Sequence, residues 1–125
     1  QIEFFSVDVS FISLKHIFPV ADAICVPGAN GVCLVKPQFE AGREKVGKKG
    51  VVRDIAVHAE VIKKITSLAF DTGFSVRGLD YSPIKGPEGN IEFLIHVVHD
   101  GEQQAPSEED IQSVVNAAHQ SLNGE

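Results

Sequence analysis

Short apolar runs alternate with segments of helical periodicity along most of this chain of 125 residues. The apolar runs predict four buried strands at Ile2–Val7, 31–36, 76–81 and 91–98. Apolar residues at helical spacing predict helices at 11–25, at 54–73 and after Ser107. Strands that alternate with helices favour an α/β fold with a parallel sheet. This order of elements constrains the possible folds of the chain more than any other feature of the sequence.

The connection between the last two predicted strands is short, and it is rich in proline and glycine. A parallel crossover needs a dozen or more residues, usually as a helix, so we expect this last pair to be antiparallel. In open α/β sheets the functional site lies outside the carboxyl ends of the parallel strands. Asp8 and Lys36 end their strands and Glu92 opens the antiparallel one, so all three charges should meet at one edge. A structural cluster of ion pairs is the alternative interpretation.

Charge is unevenly distributed along the chain. A net charge of −6 is unfavourable for a nucleic-acid-binding protein. Residues 100–125 hold six acidic residues and no lysine or arginine, whereas residues 36–53 hold six basic residues against two acidic ones. Long, aperiodic and glycine-rich, residues 37–52 predict a loop. The basic residues in this loop and directly after it could bind RNA phosphates. These residues are Arg43, Lys45, Lys48, Lys49 and Arg53. A simply solvated loop is the alternative.

The cysteines, the histidines and the lengths of the apolar runs argue against a disulfide-rich, a metal-binding and a membrane-spanning protein. Cys25 and Cys33 lie in apolar surroundings, which indicates buried thiols and a reducing, cytoplasmic compartment. The five histidines show no metal-ligand spacing, so we expect no metal site. The apolar runs are far too short to span a membrane. The chain starts at Gln1 and contains no methionine, so we expect it to be part of a longer protein.

Five motifs give the chain a resemblance to a known family. They are Asp8-Val-Ser-Phe-Ile-Ser13, Val35-Lys-Pro-Gln-Phe-Glu-Ala-Gly-Arg43, Val46-Gly47, Gly50-Val-Val-Arg-Asp54 and Ser82-Pro-Ile-Lys-Gly-Pro-Glu-Gly-Asn-Ile-Glu-Phe93. They resemble the TlyA/hemolysin-A family of FtsJ-like RNA methyltransferases. The resemblance implies a Rossmann-like half-sheet, with two parallel strands, a terminal antiparallel pair and helices on the faces. Residues 1–99 would form the second half of the catalytic domain, and 100–125 an acidic C-terminal helix of the same domain.

The resemblance also implies an activity, which is methyl transfer from S-adenosylmethionine to a ribose 2′-hydroxyl of ribosomal RNA. The family has a Lys-Asp-Lys-Glu catalytic set, in which Asp8, Lys36 and Glu92 match the last three members. The first lysine, the glycine-rich cofactor loop and an S4 RNA-binding domain would precede Gln1. We therefore expect only the vicinity of Asp8 to contribute to the cofactor site, and we expect this chain alone to be inactive.

Two carboxylates beside Lys36 favour its ammonium form, so we predict that Lys36 is protonated and pairs with one or both of them. Two roles of Lys36 remain as alternatives: a neutral lysine that acts as a base, and an ammonium that stabilises charge on oxygen.

The alternative function is that of a truncated or inactive relative that binds RNA or the ribosome. Pore formation, which the hemolysin name suggests, ranks last. The predicted strand Ile2–Val7 would lie at an open edge of the sheet. Since unpaired backbone groups at such an edge can pair with another chain, we predict self-association through this strand.

Overall fold

Four strands and four helices make up the fold in the computed structural model, which describes residues 1–123 and, within them, every side chain except that of Lys48. The strands are β1 (Ile2–Val7), β2 (Cys25–Val35), β3 (Ser75–Tyr81) and β4 (Phe93–Val98). The helices are α1 (Phe18–Ile24), α2 (Pro37–Glu40), α3 (Ile55–Asp71) and α4 (Glu108–Asn123). Single 3₁₀ turns lie at Leu14–His16, Arg43–Lys45, Lys48–Gly50 and Pro87–Gly89. Residues 124 and 125, which the predicted last helix includes, lie outside the described residues.

The strands form one mixed sheet in the order β1-β2-β4-β3. β1 is parallel to β2, whereas β4 is antiparallel to both of its neighbours, β2 and β3. The predicted half-sheet and the predicted antiparallel pair are therefore confirmed. β4 lies between two strands, as its run of apolar residues predicts. β1 lies at the edge of the sheet within the described chain, so self-association through it stays a prediction.

One hydrophobic core fills the face of the sheet on which α1, α3 and α4 pack. On β4, Phe93, Ile95 and Val97 point into this core and are at most 1% exposed. Their neighbours Leu94 and Val98 are only partly buried, because successive strand residues point to opposite faces. The central strand β4 is thus buried on this face, whereas the edge strand β1 is only partly covered.

Polar caps set the ends of the two long helices. Asp54 begins α3, because its carboxylate Oδ1 accepts a hydrogen bond of 2.8 Å from the backbone N–H of Ala56. Gly73, with φ of +86°, follows the end of α3 in the left-handed conformation that glycine favours. Ser107 and Asp110 form a reciprocal capping box at the start of α4. All three signals were predicted from the sequence.

The largest differences from the predicted boundaries lie at α1, β2 and α2. α1 begins at Phe18, so Pro19 lies in its first turn, where a missing N–H costs nothing, and not in mid-helix. β2 begins six residues earlier than predicted and includes Gly28, whose φ is +83°. Pro37 starts the four-residue helix α2, so the prediction of a loop over 37–52 is wrong for that first turn. The prediction that Ile91 and Glu92 open the last strand is also wrong, because β4 begins at Phe93 and both residues precede it.

Candidate active site

The sheet brings Asp8, Lys36 and Glu92 to one edge, and we call these three residues the charged rim. Val7 at the end of β1 pairs with Cys33, and Val35 at the end of β2 pairs with Phe93 at the start of β4. Asp8 directly follows β1, Lys36 directly follows β2, and Glu92 directly precedes β4. The predicted convergence is therefore confirmed, and it depends on β4 running against β2.

Lys36 pairs with one of the two carboxylates of the charged rim. Its Nζ lies 2.5 Å from Oδ1 of Asp8 and donates a second hydrogen bond of 3.2 Å to Oγ of Ser10. The Lys36 side chain is 9% exposed, whereas that of Asp8 is 66% exposed. The pair thus has a buried cation and a carboxylate open to solvent, so a ligand can reach the acidic partner.

Glu92 is buried at 4% exposure and is held by groups other than Lys36. Its Oε2 accepts a hydrogen bond of 2.9 Å from Nε2 of Gln38. Its carboxylate also lies directly against the backbone of Gly86, where the Cβ atom of any other residue would stand 2.1 Å from Oε2. Among the side chains that the structure describes, Glu92 has no salt-bridge partner. Lys36 therefore pairs with Asp8 alone of the two predicted partners.

A second buried carboxylate fixes the segment that follows Asp8. Oε1 of Glu40 accepts a hydrogen bond of 2.6 Å from the Ser13 hydroxyl, and its Oε2 accepts one of 2.9 Å from the backbone N–H of Leu14. Lys64 of α3 in turn donates to the backbone carbonyl of Glu40. These bonds tie the segment after β1 to the helix after β2, so Asp8 and Lys36 are held side by side.

Two aromatic rings, which the sequence analysis did not single out, lie next to Gln38, the residue that bonds to Glu92. Phe11 is 89% exposed, has φ of +66°, and its ring centroid lies 4.9 Å from that of Phe39. Both rings line a cavity of about 330 Å³, together with Gln38, Val46, Pro87 and Asn90. A large aromatic residue between the strand-end Asp8 and the next helix was the signal that could have found it.

The basic loop, defined as residues 43–53, carries the predicted phosphate ligands. Arg43, Lys49 and Arg53 are exposed, and none of them forms a salt bridge with another residue of the described chain. Lys45 differs, because its ammonium bonds to the Glu60 carboxylate of α3, and this hydrogen bond raises the pKa of Lys45. The Lys48 side chain lies outside the described residues. Three of the five predicted residues are thus free to meet a phosphate.

The far end of the basic loop is attached to the charged rim through Asn90, which is 1% exposed. Its Oδ1 accepts a hydrogen bond of 2.9 Å from the N–H of Val52, and its Nδ2 donates one of 2.8 Å to the carbonyl of Gly50. Asn90 lies two residues before Glu92. The loop and the third rim residue are therefore held in a fixed relation.

A family model described as FtsJ-like methyltransferase matches residues 1–98. The chain belongs to this family. The match includes the whole charged rim, the basic loop and all four strands, and it ends with β4. The family resemblance carried by the five sequence motifs is therefore confirmed.

Curated relatives of this FtsJ-like chain have names of the same kind. "Putative rRNA methyltransferase YqxC" of Bacillus subtilis is 53% identical over 123 residues, which are 96% of this chain and 44% of that protein. "16S/23S rRNA (cytidine-2'-O)-methyltransferase TlyA" of Mycobacterium tuberculosis is 39% identical over 88 residues, or 70% of this chain and 33% of that protein. The FtsJ-like chain thus spans less than half the length of these relatives.

A solved structure confirms the fold of the FtsJ-like chain. "Putative hemolysin from Streptococcus thermophilus" superposes with a TM-score of 0.93 at 48% identity, and covers 98% of this chain and 44% of that chain. Among the described residues, no helix is long and apolar enough to cross a membrane.

Membership in a methyltransferase family implies S-adenosylmethionine, and the rim fits one side of a site for it. Asp8 is exposed at the carboxyl end of the edge strand β1, so it can contact a ligand that lies beyond that strand. Within residues 1–123, no glycine-rich turn joins a strand to a following helix at this edge.

Proposed function

We propose that the protein transfers a methyl group from S-adenosylmethionine to a ribose 2′-hydroxyl of ribosomal RNA. The observation that carries this proposal is the charged rim, in which one buried amine and two carboxylates meet at one sheet edge. The family match over residues 1–98 supports the reaction class. The names of the relatives, among them an rRNA (cytidine-2'-O)-methyltransferase, support the substrate.

The rim residues have distinct tasks under this proposal. Bound S-adenosylmethionine supplies an electrophilic methyl carbon, and the protein aligns the hydroxyl oxygen with it. The Lys36 ammonium, oriented by Asp8 and Ser10, donates a hydrogen bond to that oxygen and stabilises its growing negative charge. Asp8 accepts the hydroxyl proton and passes it to water, to which it is open. The 2.5 Å ion pair favours this electrostatic role of Lys36 over that of a neutral base.

The test is methylation of ribosomal subunits by the intact protein with isotope-labelled S-adenosylmethionine. The RNA is digested to nucleosides, and mass spectrometry assigns the label to a ribose or to a base. We expect a labelled 2′-O-methyl nucleoside. Label on a base, or no label on RNA from subunits that lack the modification, would contradict the proposal.

A second candidate function is an RNA- or ribosome-binding module without catalysis. The exposed, unpaired Arg43, Lys49 and Arg53 favour it, because they need only phosphate to act. Calorimetry with S-adenosylmethionine separates the two functions, since only the methyltransferase has to bind the cofactor.

The basic loop gives a prediction that holds for both functions. Replacing Arg43 and Arg53 by glutamine should lower RNA affinity and reduce the slope of log K against log salt by about 1–2, because each lost phosphate contact removes roughly 0.7–0.9. Binding titrations at several salt concentrations measure this slope. Lys63→Gln on α3 removes an exposed charge away from the rim and is the matched control. An unchanged slope in the double variant would show that Arg43 and Arg53 of the loop do not contact RNA phosphates.

Phe11 gives a second prediction. Unstacked RNA bases stack on exposed aromatic rings, with about 1–3 kcal/mol per base. Phe11→Ala should therefore weaken RNA binding by about 5- to 150-fold and leave the free energy of unfolding within about 0.5 kcal/mol, since the ring is exposed. Phe4→Ala removes another exposed ring, 61% accessible on β1, as a control. Equal RNA affinity of the two variants would count against a stacking role.

A further inference from the structure

Glu92 is the rim residue that Lys36 does not hold, and two other residues fix its position. We propose that Gln38 and Gly86 are positioning residues, which keep the Glu92 carboxylate in one orientation for methyl transfer. This inference rests on the proposed function and extends the site to two residues outside the charged rim of Asp8, Lys36 and Glu92.

The orientation of the Gln38 amide follows from its neighbour. The amide nitrogen Nε2 of Gln38 is a donor, and it lies 2.9 Å from the acceptor Oε2 of Glu92. The other end of the amide, Oε1, is buried and has no hydrogen-bond partner among the described residues. An unmet buried acceptor costs stability. The amide is therefore placed for the bond that its nitrogen makes to Glu92.

Gly86 lies against the same carboxylate as Gln38 and forms a second wall beside it. A Cβ atom at this position would lie 2.1 Å from Oε2 and 2.4 Å from Cδ of Glu92, so any larger residue has to displace the carboxylate. The backbone of Gly86 has φ of −77°, which every residue can adopt, so space and not backbone freedom requires glycine. Its N–H donates a hydrogen bond of 2.7 Å to the carbonyl of Asn90, which keeps this wall in place.

The two walls remove the rotational freedom of a side chain that would otherwise have three rotatable bonds. A carboxylate fixed before the substrate arrives needs no reordering during the reaction. The two acids of the rim are held by different groups, because Gln38 bonds to Glu92 whereas the Lys36 ammonium pairs with Asp8. Loss of the bond from Gln38 should therefore slow the chemical step more than it weakens binding.

The experiment compares Gln38→Leu and Gln38→Glu in the intact protein, with Gln120→Leu on the exposed face of α4 as the control. We expect Gln38→Leu to lower kcat on the order of 10- to 100-fold, the effect of losing a hydrogen bond to a charged group, with KM within about 2-fold. Gln120→Leu should leave both constants unchanged. A kcat of Gln38→Leu within about 2-fold of the wild type would overturn the inference.

Gln38→Glu tests the same contact through its pH profile. Two carboxyl groups this close share one proton, so the variant should keep kcat at low pH and lose it as the pH rises and the shared proton leaves. Charged groups near this contact include Asp8, Lys36, Arg43, Lys85 and Glu88, and all of them are unchanged in the variant. A pH profile identical to that of the wild type would overturn the inference.

A readout without catalysis keeps this inference separate from the proposed function. In NMR spectra of the intact protein, the Gln38 side-chain amide signals should shift as Glu92 titrates, and Glu92→Gln should abolish that shift. Gly86→Ala, which displaces the carboxylate, should abolish it as well. If the wild type shows the shift but no methyl transfer, the proposed function fails and the positioning contact stands. If the wild type methylates RNA but the amide shows no shift, the positioning inference fails alone.

Discussion

We expect Lys36→Met to lower the rate of RNA methylation by about 10²–10⁴-fold, the range typical for loss of a group that stabilises charge or moves a proton. Methionine keeps the apolar stem of this buried side chain and removes only the ammonium. Asp8, the carboxylate that loses its partner, is 66% exposed, so water can solvate it and the fold should tolerate the change. Single-turnover methylation of RNA measures the rate.

Lys63→Met is the matched control for Lys36→Met. Lys63 pairs with Glu108 on the surface, where both side chains are at least half exposed, so its loss should leave the methylation rate unchanged. Thermal unfolding of both variants checks the fold. A methylation rate of Lys36→Met within about 10-fold of the wild type, with the fold intact, would contradict the role assigned to the ammonium.

The second prediction concerns how the free energy of unfolding depends on pH, and it rests on the buried pair of His58 and His119. His58 is 0% exposed, its Nδ1 lies 2.8 Å from Nε2 of His119, and its Nε2 lies 3.0 Å from the carbonyl of Val52. With the proton assigned to Nε2 of His58, that nitrogen donates to Val52 and Nδ1 accepts from His119. Burial and the neighbouring His119 lower the pKa of His58 to about 4. Protonation of His58 therefore opposes the folded state.

We expect the free energy of unfolding to fall by about 3 kcal/mol as the pH falls from 6.5 to about 4. The unfolded chain takes up a proton on this histidine near pH 6.5, whereas the folded chain does so only near pH 4. Between these values the unfolded state binds more protons, so acid favours unfolding. Denaturant titrations at successive pH values measure the slope.

His58→Gln should be less stable at neutral pH but should lose most of the slope between pH 6.5 and 4. His16→Gln replaces an exposed histidine and should keep the slope of the wild type. Hydrogen bonds from the Glu102 N–H and the Ser75 hydroxyl lower the pKa of Asp100 from 3.8 to about 2, so Asp100 adds acid sensitivity only toward the lower end of this range, and equally in both variants. Equal slopes in the wild type and in His58→Gln would exclude the histidine pair as the source of acid sensitivity.

The positions of the rim residues could be predicted from the sequence because they depend on local signals. The short connection before β4 is too brief for a parallel crossover, and that fact alone placed Glu92 at the edge that holds Asp8 and Lys36. The caps of α3 and α4 are likewise local, since Asp54 and Ser107 bond to groups two or three residues away.

Contacts between distant segments could not be predicted in this way. Gln38 and Glu92 are 54 residues apart, and Ser13 and Glu40 are 27 apart, so no pattern within one segment reveals that they meet. The early start of β2 depends on its pairing with β1, where the register shifts between Ile2 and Phe4. The exposure of Phe11 also follows from tertiary structure, because the residues around it decide whether its ring is covered.

The most direct test of the charged rim as one reaction centre is a mutant cycle, with Asp8→Asn, Lys36→Met and Glu92→Gln made singly and together. Residues that act as one unit lose activity non-additively, so the triple variant should methylate RNA about as slowly as the slowest single variant. Rate losses that multiply across the three sites, or a single variant with the wild-type rate, would show that these residues do not form one reaction centre.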